Sequence, residues 1–471
     1  MLQASQRGNM GRLIVVSNRI PVGDELSGGL VVALHECLQE LGGIWLGANP
    51  DLVEDPQPAV RLLGSDGYTK MGFDLSAEDQ ENYYFGYANS VLWPLCHRRS
   101  DLMDLQPAYL DGYLKVNERV AEGIASLIEP DDLIWIHDYH FFPLAQALRA
   151  RGVTARIGFF LHIPFPTIQD IDALPDQDEF VKWLSAYDLI GLQTEADVAT
   201  CFEVFRRLES TEIFSHGRVG YQGKIVSIAC FPIGIDPDSF VDTAKQHDGR
   251  AAVNLLPQER FVLGIDRLDY SKGLPQRLAG FGEWLARRQE QDPRATFVQI
   301  ATPSREAVEA YQNLRDELAM LAGQQNGLYS TLDWTPIRYI NSFVERETLA
   351  GLYRAADVCL VTPLADGMNL VAKEFVAAQD PADPGVLVLS RFAGAAEQLT
   401  EALVVNPYDI GSIADAIDQG LKMPKEERVE RYEAMAKIVF GQTVDAWAHN
   451  FIKRLEGFQA VGDITSISLV S

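Results

Sequence analysis

Short apolar runs that alternate with helix-forming segments constrain the fold of this 471-residue chain more than any other feature. The clearest runs lie at 12–17, 132–136, 157–161, 187–192, 261–265, 295–301, 357–363 and 385–390. Continuous apolar stretches of this length are typical of strands that are buried on both faces, as in parallel sheets. The chain is too long for one ordinary core, and the alternation resumes in its second half. We therefore predict an α/β protein with two doubly wound Rossmann-like domains that face a central cleft.

A polar stretch that contains prolines, at 231–260, interrupts this alternation and marks the expected domain junction. We place the N-terminal domain at 1–240 and the C-terminal domain at 241–450. Residues 451–471 are expected to form the end of a C-terminal helix and a tail. Residues 51–82 are acidic and carry no clear strand or helix pattern, so we expect irregular structure there.

The charge of the chain limits its partners. Its net charge of −26 at pH 7 argues against non-specific binding to nucleic acid or to an anionic membrane. A local basic pocket within such an acidic surface can still hold an anionic substrate. The N-terminus lacks a signal-peptide pattern and no apolar run reaches the roughly 18 residues of a membrane span, so we expect a cytoplasmic protein. The five cysteines show no CxxC spacing, which favours buried free thiols over disulfides or a metal site.

The segment from Asp366 to Glu374 lies between an apolar run and a helical segment, 375–379, and contains Gly367. A strand, a turn and a helix start can bind an anion, because the first backbone N–H groups of a helix have no partner within it. The carboxylates of Asp366 and Glu374 suit sugar hydroxyls rather than phosphate. These residues indicate a nucleotide-sugar site, although an ordinary strand–helix turn is the alternative.

Further polar residues follow other predicted strands. Arg267 and Lys272 flank a turn-rich loop after the run at 261–265 and could hold a diphosphate, the alternative being two surface cations. Arg305 also follows a predicted strand, and Arg19 follows the first one. At the carboxyl edge of an open α/β sheet, such residues face the crevice where ligands bind.

An aromatic cluster at 83–94 and two polar strand ends complete the candidate residues of the N-terminal half. Dense aromatic residues usually form a core, but they can also stack on a sugar ring. Asp138 and His162 occupy equivalent places after two predicted strands. His137 and His140 flank Asp138, yet no third clustered ligand is visible, so we predict neither a metal nor a cofactor. The acidic loop at 170–178 is expected to be a solvated loop.

Six ordered motifs, taken together, resemble those of the trehalose-6-phosphate synthases, the retaining glycosyltransferases of family 20, which have the GT-B fold. The motifs are Ser17-Asn18-Arg19, Val91–Pro94, Trp135–His140, Gly158–Pro166, Arg267–Leu274 and Asp366–Glu374. The resemblance runs from about residue 11 to about residue 455. Six motifs in the same order are far more specific than any one of them.

The resemblance implies a donor site for a nucleotide-glucose, with UDP-glucose expected. Arg267 and Lys272 would bind the diphosphate, Asp366 would hold hydroxyls of the glucose, and His162 would contact the same sugar near its reacting face. The expected donor contacts are Gly29, Arg267, Lys272, Asp366, Gly367, Met368, Asn369, Leu370, Val371 and Glu374, of which Glu374 would hold the ribose and Leu370 and Val371 would offer backbone amides.

The resemblance also implies an acceptor site for glucose-6-phosphate. The expected acceptor contacts are Arg19, Tyr84, Trp93, Asp138 and Arg305. The reaction would be a front-face, metal-independent transfer, with Asp138, His162, Arg267, Lys272 and Asp366 as the catalytic residues. The tail at 451–471 would cross back to the N-terminal domain, and a homo-oligomer, either a dimer or a tetramer, is expected.

Three departures from the family pattern concern the pocket. Ala48 and Asn49 follow Gly47 where a second Trp is usual, the first loop is short, and Ala365 replaces a bulkier cation before Asp366. One alternative is therefore the same chemistry on another phosphorylated acceptor such as glycerol-3-phosphate. A pseudo-glycosyltransferase and a non-catalytic regulatory homologue are further alternatives, but the retained donor residues oppose both.

Overall fold

The computed structural model describes residues 11–21, 31, 34–35, 37–39, 42–175, 177–255, 259–289, 292, 294–305 and 308–458. The described chain divides into two compact units. Unit 1 combines the residues up to Pro232 with those from Asp445 onwards, and unit 2 comprises Ile233–Val444.

Unit 1 is built on a sheet whose centre is parallel. Its strands are β1 (Leu13–Val16), β2 (Ile44–Ala48), β3 (Val60–Asp66), β4 (Tyr68–Phe73), β5 (Leu133–His137), β6 (Arg156–Phe160), β7 (Leu189–Leu192), β8 (Glu212–Phe214), β9 (Arg218–Tyr221) and β10 (Lys224–Cys230). Their spatial order is β3-β4-β2-β1-β5-β6-β7-β10-β9-β8. The strands from β4 to β10 in this order are parallel, whereas antiparallel pairs close both edges.

The expectation of irregular structure at 51–82 is wrong in part. Strands β3 and β4 form an antiparallel pair there, and β4 extends the parallel sheet beside β2. Most of β3 is exposed, so its sequence lacks the apolar run by which buried strands were recognised.

The helices of unit 1 cover the sheet and complete its core. They are α1 (Ala77–Asp79), a π-helix (Gln80–Leu92), α2 (Trp93–Cys96), α3 (Pro107–Ala125), α4 (Leu144–Ala150), α5 (Ile168–Ile171), α6 (Gln177–Leu184), α7 (Glu195–Phe205) and α16 (Val444–Glu456). Short 3₁₀ turns lie at Ser100–Leu102 and Tyr139–Phe141.

Helix α16 packs on the middle of the unit 1 sheet. The rings of Trp135 and Phe451 stack at 4.6 Å with only 12° between their planes. Gly158 and Gly191 make this approach possible, because a Cβ atom at either position would lie 2.7–2.8 Å from the ring of Phe451. A helix that is distant in sequence therefore belongs to the core of this unit.

Unit 2 contains a fully parallel sheet, as its continuous apolar runs predicted. Its strands are β11 (Arg260–Arg267), β12 (Ala295–Thr302), β13 (Ile337–Ile340), β14 (Val358–Val361), β15 (Val386–Ser390) and β16 (Leu403–Val405), in the order β13-β12-β11-β14-β15-β16. The connecting helices are α8 (Pro237–Gln246), α9 (Gly249–Ala252), α10 (Leu274–Arg287), α11 (Glu309–Tyr329), α12 (Arg346–Ala355), α13 (Leu370–Ala378), α14 (Ile410–Lys422) and α15 (Lys425–Gly441), with 3₁₀ turns at Tyr270–Lys272 and Gly394–Glu397.

Strand order changes direction between β11 and β14, which are neighbours although β12 and β13 separate them in the chain. Such a switch point opens a crevice at the carboxyl ends of the two strands. All five cysteines are free thiols, as predicted, and four of them are buried. None of the helices in the described ranges combines the length and apolar character that a membrane span needs.

Candidate active site

The switch point of unit 2 brings two predicted donor residues into contact. Lys272 lies in the 3₁₀ turn after β11, and its Nζ donates to Oδ2 of Asp366, which lies beyond the end of β14. The same carboxylate oxygen accepts a 3.0 Å hydrogen bond from Nδ2 of Asn369. Arg267 ends β11 and is exposed. The carboxyl edge of this sheet thus gathers two cations and a carboxylate.

A buried carboxylate and a glycine stabilise the turn that carries Lys272. The side chain of Asp269, which is fully buried, accepts a 2.9 Å hydrogen bond from the backbone N–H of Ser271. Gly273 ends the turn with φ +64°, and a Cβ atom there would lie 2.1 Å from the carbonyl oxygen of Thr362. A glycine is required because both the left-handed backbone and the close approach exclude a side chain.

Helix α13 begins directly beside Asp366. Asn369, with φ +72°, precedes the helix, so the backbone N–H groups of Leu370 and Val371 belong to its unsatisfied first turn. Gly367 and Met368 are buried, and the carbonyl oxygen of Met368 accepts a 2.8 Å hydrogen bond from Ala395. The helix starts at Leu370, five residues before the helical segment expected at 375–379. The result is a helix N-terminus, with its partial positive charge, next to Lys272.

Two ionisable residues follow each other inside helix α13. Glu374 accepts a 3.0 Å hydrogen bond from the hydroxyl of Tyr353, and burial raises the pKa of its carboxyl group. Lys373 donates a 2.6 Å hydrogen bond to the carbonyl oxygen of Ile233, and burial lowers the pKa of its amine to about 7. Glu374 therefore lies in the helix whose N-terminus belongs to the candidate donor site. Lys373 connects the same helix to Ile233, the first residue of unit 2.

Arg277, which sequence reasoning missed, supports the whole switch point. Its side chain in helix α10 is fully buried and donates to Oδ2 of Asp266 at 2.6 Å, to Oγ1 of Thr362 at 3.0 Å and to Oε1 of Gln299 at 3.2 Å. These partners lie on β11, on β12 and directly after β14. One guanidinium therefore joins the neighbouring strands beneath Lys272. An Arg within an amphipathic helix gives no sequence signal of this role.

Arg305, predicted to contact the acceptor, has partners within unit 2. Its Nη1 lies 2.6 Å from the hydroxyl of Tyr311 and 3.3 Å from Oδ2 of Asp269. The side chain is only 8% exposed, so the guanidinium packs against the residue that caps the Lys272 turn. The structure thus places Arg305 beside the donor-side turn, and its acceptor role stays a prediction.

Unit 1 brings together two predicted acceptor residues. Nη2 of Arg19 donates a 2.9 Å hydrogen bond to the hydroxyl of Tyr84, and the guanidinium lies 5.8 Å from the centre of the tyrosine ring. The ring of Tyr84 stacks on that of His140 at 5.9 Å with 9° between their planes. Arg19 is exposed, so its cation remains accessible to an anion. The backbone N–H of Ala48, at the expected departure from the family pattern, donates to the carbonyl oxygen of Asn18 at 3.2 Å.

The π-helix, which sequence reasoning also missed, carries Tyr84 and leads into Trp93. The side chains of Asn89 and Ser90 donate 2.7 Å hydrogen bonds to carbonyl oxygens five residues earlier. Trp93 is buried, with its ring 4.1 Å from that of His97 and 5.6 Å from that of Tyr139. The aromatic cluster at 83–94 thus contributes to the core, as the first alternative predicted, while Tyr84 stays partly exposed. Helices of this type are frequent at functional sites.

Asp138 and His162 meet at the carboxyl edge of the unit 1 sheet. Asp138 has φ +73°, and its Oδ1 accepts a 3.3 Å hydrogen bond from the backbone N–H of His162. Nε2 of His162 lies 3.1 Å from Nδ1 of His137, the last residue of β5. Burial lowers the pKa of His162 to about 3, so its ring is neutral at pH 7. Neutral imidazole can donate or accept a hydrogen bond but cannot act as a cation.

One predicted donor residue lies beyond this geometry. Gly29, expected in the donor loop, falls outside the described residues. Within the described ranges, no group of three or more His, Cys, Asp or Glu side chains is arranged to hold a metal ion. His137 and His140, considered above as metal ligands, instead pack among aromatic rings.

Comparison with known proteins identifies relatives of the whole chain. A trehalose-6-phosphate synthase from Enterobacter sp. (strain 638) is 44% identical over 455 residues, which are 95% of either chain. The Burkholderia xenovorans alpha,alpha-trehalose-phosphate synthase (UDP-forming), solved in complex with glucose-6-phosphate, is 42% identical with a TM-score of 0.90 and covers 95% of this chain and 100% of its own. A solved E. coli structure bound with UDP-2-fluoro glucose is 42% identical with a TM-score of 0.92, covering 96% and 100%.

The similarity extends over both units. The two parallel α/β units and the solved relatives confirm the predicted GT-B fold. The model of glycosyltransferase family 20 matches residues 14–457, from β1 to the end of α16. The chain belongs to glycosyltransferase family 20.

Proposed function

We propose that the chain transfers glucose from UDP-glucose to glucose-6-phosphate, which yields α,α-trehalose-6-phosphate and UDP. The observation that carries the proposal is the cluster at the switch point of unit 2. There Lys272 pairs with Asp366 beside the N-terminus of helix α13, and Arg267 ends the adjoining strand. The names of the relatives, and the ligands in two of their structures, support this choice of substrates.

The donor would bind through complementary charge. A diphosphate brings negative charge to Arg267, Lys272 and the first amides of helix α13, none of which requires a metal ion. Asp366 forms an ion pair with Lys272. On donor binding, the carboxylate would turn to the glucose hydroxyls while Lys272 gains the phosphate. Glu374, already a hydrogen-bond acceptor, would hold the ribose.

The predicted acceptor residues of unit 1 would contact the sugar phosphate. Arg19 is oriented by Tyr84 and exposed, so it suits the phosphate of glucose-6-phosphate. Asp138 suits a sugar hydroxyl, whereas Trp93 is buried, so its contact with the acceptor stays a prediction. Arg305 of unit 2, which contacts Asp269, remains a proposed acceptor contact, and the acceptor KM of Arg305→Ala tests it.

The chemistry would proceed with retention by attack on the front face. The bond between the anomeric carbon and the diphosphate oxygen breaks, and the acceptor hydroxyl oxygen bonds to the same face. The hydroxyl proton passes to the departing diphosphate oxygen, so no side chain has to exchange a proton. Arg267 and Lys272 would stabilise the growing negative charge, a role worth about 2–4 kcal/mol for each group.

A matrix of substrates tests the proposal. UDP-, GDP- and ADP-glucose are each combined with glucose-6-phosphate or glycerol-3-phosphate, and nucleotide release is measured. We expect the fastest release with UDP-glucose and glucose-6-phosphate, and this activity should survive EDTA. Nucleotide release only with glycerol-3-phosphate would instead show that the acceptor is not glucose-6-phosphate, which would agree with the departure from the family pattern at Ala48. No release with any pair would refute the transferase proposal for this chain.

The two ends of strand β11 provide a matched pair of variants. Arg267→Ala should lower kcat/KM by about 30- to 1,000-fold, which corresponds to about 2–4 kcal/mol. Arg260→Ala is the control, because Arg260 is an exposed cation at the opposite end of the strand and pairs with Asp357. Equal activity in both variants would contradict the role of Arg267 at the diphosphate.

A further inference from the structure

Two histidines on neighbouring strands of unit 1 form a hydrogen-bonded pair. His137 ends β5, and its register partner on β6 is Phe160, two residues before His162. The rings lie 5.3 Å apart with 24° between their planes, and Nδ1 of His137 is 3.1 Å from Nε2 of His162. His137 is fully buried, whereas His162 is partly exposed. Only one of the two facing nitrogens can carry the shared proton.

The surroundings of this pair are aromatic. The ring of His137 lies 4.5 Å from that of Trp135 and 6.3 Å from that of Trp447, and the two indole rings are 5.0 Å apart. Burial keeps both imidazoles neutral, because it lowers the pKa of His137 well below its usual value and that of His162 to about 3. The pair therefore holds two ring protons in total, one on each residue.

Three buried polar atoms in this cluster lack a hydrogen-bond partner: Nε2 of His137, Nε1 of Trp135 and Nε1 of Trp447. Both indole nitrogens can only donate. In the first arrangement, His162 donates to Nδ1 of His137, so the single proton of His137 lies on Nε2, and all three buried nitrogens are N–H donors without an acceptor. In the second arrangement, Nδ1–H of His137 donates to His162, so Nε2 of His137 carries no proton and only the two indole N–H groups lack an acceptor. Orphaned buried N–H groups are rare, so the second arrangement costs less.

The second arrangement determines the proton position on His162. Its Nε2 accepts from His137, so its own proton must lie on Nδ1. We propose that His137 is a positioning residue that holds His162 in the Nδ1–H tautomer, so that Nδ1–H of His162 is available to donate a hydrogen bond to a sugar oxygen. This proposal rests on the proposed function for the identity of the sugar, but the tautomer itself follows from the described residues alone. Neither histidine exchanges a proton with the substrate.

The tautomer is measured directly by ¹⁵N NMR of histidine-labelled protein at pH 7, without any substrate. Chemical shifts and couplings to the ring carbon protons distinguish a protonated from a bare nitrogen. His162→Phe and His137→Asn identify the two sets of signals by their loss. We expect a protonated Nδ1 and a bare Nε2 on His162, and a bare Nε2 on His137. A protonated Nε2 on His162 overturns the proposal, whatever the activity of the enzyme.

Two isosteric variants test the positioning role. His137→Asn keeps an amide nitrogen near the place of Nδ1. Leucine has nearly the same shape as asparagine but cannot donate a hydrogen bond, so His137→Leu removes the donor alone. We expect His137→Leu to lower kcat about tenfold with an unchanged acceptor KM, and His137→Asn to stay within about threefold of the wild type. His247→Leu is the control, because His247 is an exposed histidine whose ring bonds only a backbone carbonyl within its own helix end.

The outcomes separate the two proposals. Wild-type kcat in a folded His137→Leu variant overturns the positioning role, as does an equal loss in the Asn and Leu variants. Thermal unfolding of each variant shows whether a loss reflects unfolding, and the NMR measurement on the wild type stands even if His137→Leu fails to fold. A wild-type enzyme that releases no nucleotide would refute the proposed function while the tautomer remains measurable.

Discussion

Removal of the Arg277 guanidinium should destabilise unit 2 more than any exposed substitution on the same helix. In an Arg277→Met variant, the carboxylate of Asp266 stays buried, at 6% exposure, without the cation that it contacts at 2.6 Å. Gln299 and Thr362 also lose their donor. Breaking a buried ion pair by removing one partner costs about 3–5 kcal/mol, because an uncompensated charge remains.

This cost predicts a shift that is easy to measure. Unit 2 has roughly 210 residues, a size at which 1 kcal/mol shifts Tm by about 2–4 °C. We therefore expect Arg277→Met to lower the Tm of unit 2 by about 6–20 °C in differential scanning calorimetry. The two units can unfold in separate transitions, so an intrinsic tryptophan signal and the calorimetric trace should be compared.

Helix α10 supplies a matched control. Arg287 lies on the same helix, is about half exposed, and pairs with Glu283 and Asp415. Arg287→Met should cost less than about 1 kcal/mol, because exposed ion pairs contribute little. A double variant, Arg277→Met with Asp266→Leu, removes both buried charges and should recover at least half of the loss. A loss no larger than that of Arg287→Met, or a double variant no more stable than the single one, would refute the reasoning.

Three further substitutions test other parts of the structure. Gly273→Ala should raise the KM for the donor and lower Tm, because φ is +64° and the new Cβ would lie 2.1 Å from a backbone oxygen, whereas Gly152→Ala, with φ +81° and open space, should only lower Tm. His162→Phe should flatten the loss of Tm on acidification from pH 6.5 towards 3. Below pH 6.5 the imidazole of His162 binds a proton in the unfolded chain but not in the folded one, so the free energy of unfolding decreases as the pH is lowered. Equal slopes of Tm against pH for the variant and the wild type would contradict this. Arg305→Ala should raise the acceptor KM far more than the donor KM, and also cost stability because Asp269 loses a cation; an unchanged acceptor KM would leave only the structural role.

The strand ends of both units could be predicted from the sequence because continuous apolar runs identify buried parallel strands. Lys272 and Asp366 are 94 residues apart, yet both follow such runs, and neighbouring parallel strands place their carboxyl ends at one edge. Strand β3 escaped prediction because exposed edge strands need no apolar pattern. Local sequence carries little information where solvent, rather than the core, covers a strand.

Arg277 and the π-helix escaped prediction for different physical reasons. The role of Arg277 depends on partners from three strands, and only the assembled sheet brings them within hydrogen-bond distance. The π-helix is defined by backbone hydrogen bonds between residues five apart, a spacing that hydrophobic periodicity does not report, and the side chains of Asn89 and Ser90 add bonds of the same spacing. His137 was visible in the sequence, but as a candidate ligand rather than as a partner of His162.

The packing of helix α16 has a consequence for biosynthesis. Unit 2 is one continuous segment, whereas the core of unit 1 needs Phe451, which leaves the ribosome after all of unit 2 has been made. Before helix α16 is synthesised, nothing from that helix can pack on the surface formed by Trp135, Gly158 and Gly191. A chain truncated before Asp445 would therefore contain all of unit 2 but display an aromatic, aggregation-prone patch on unit 1. Unit 1 should mature last although its first strand is synthesised first.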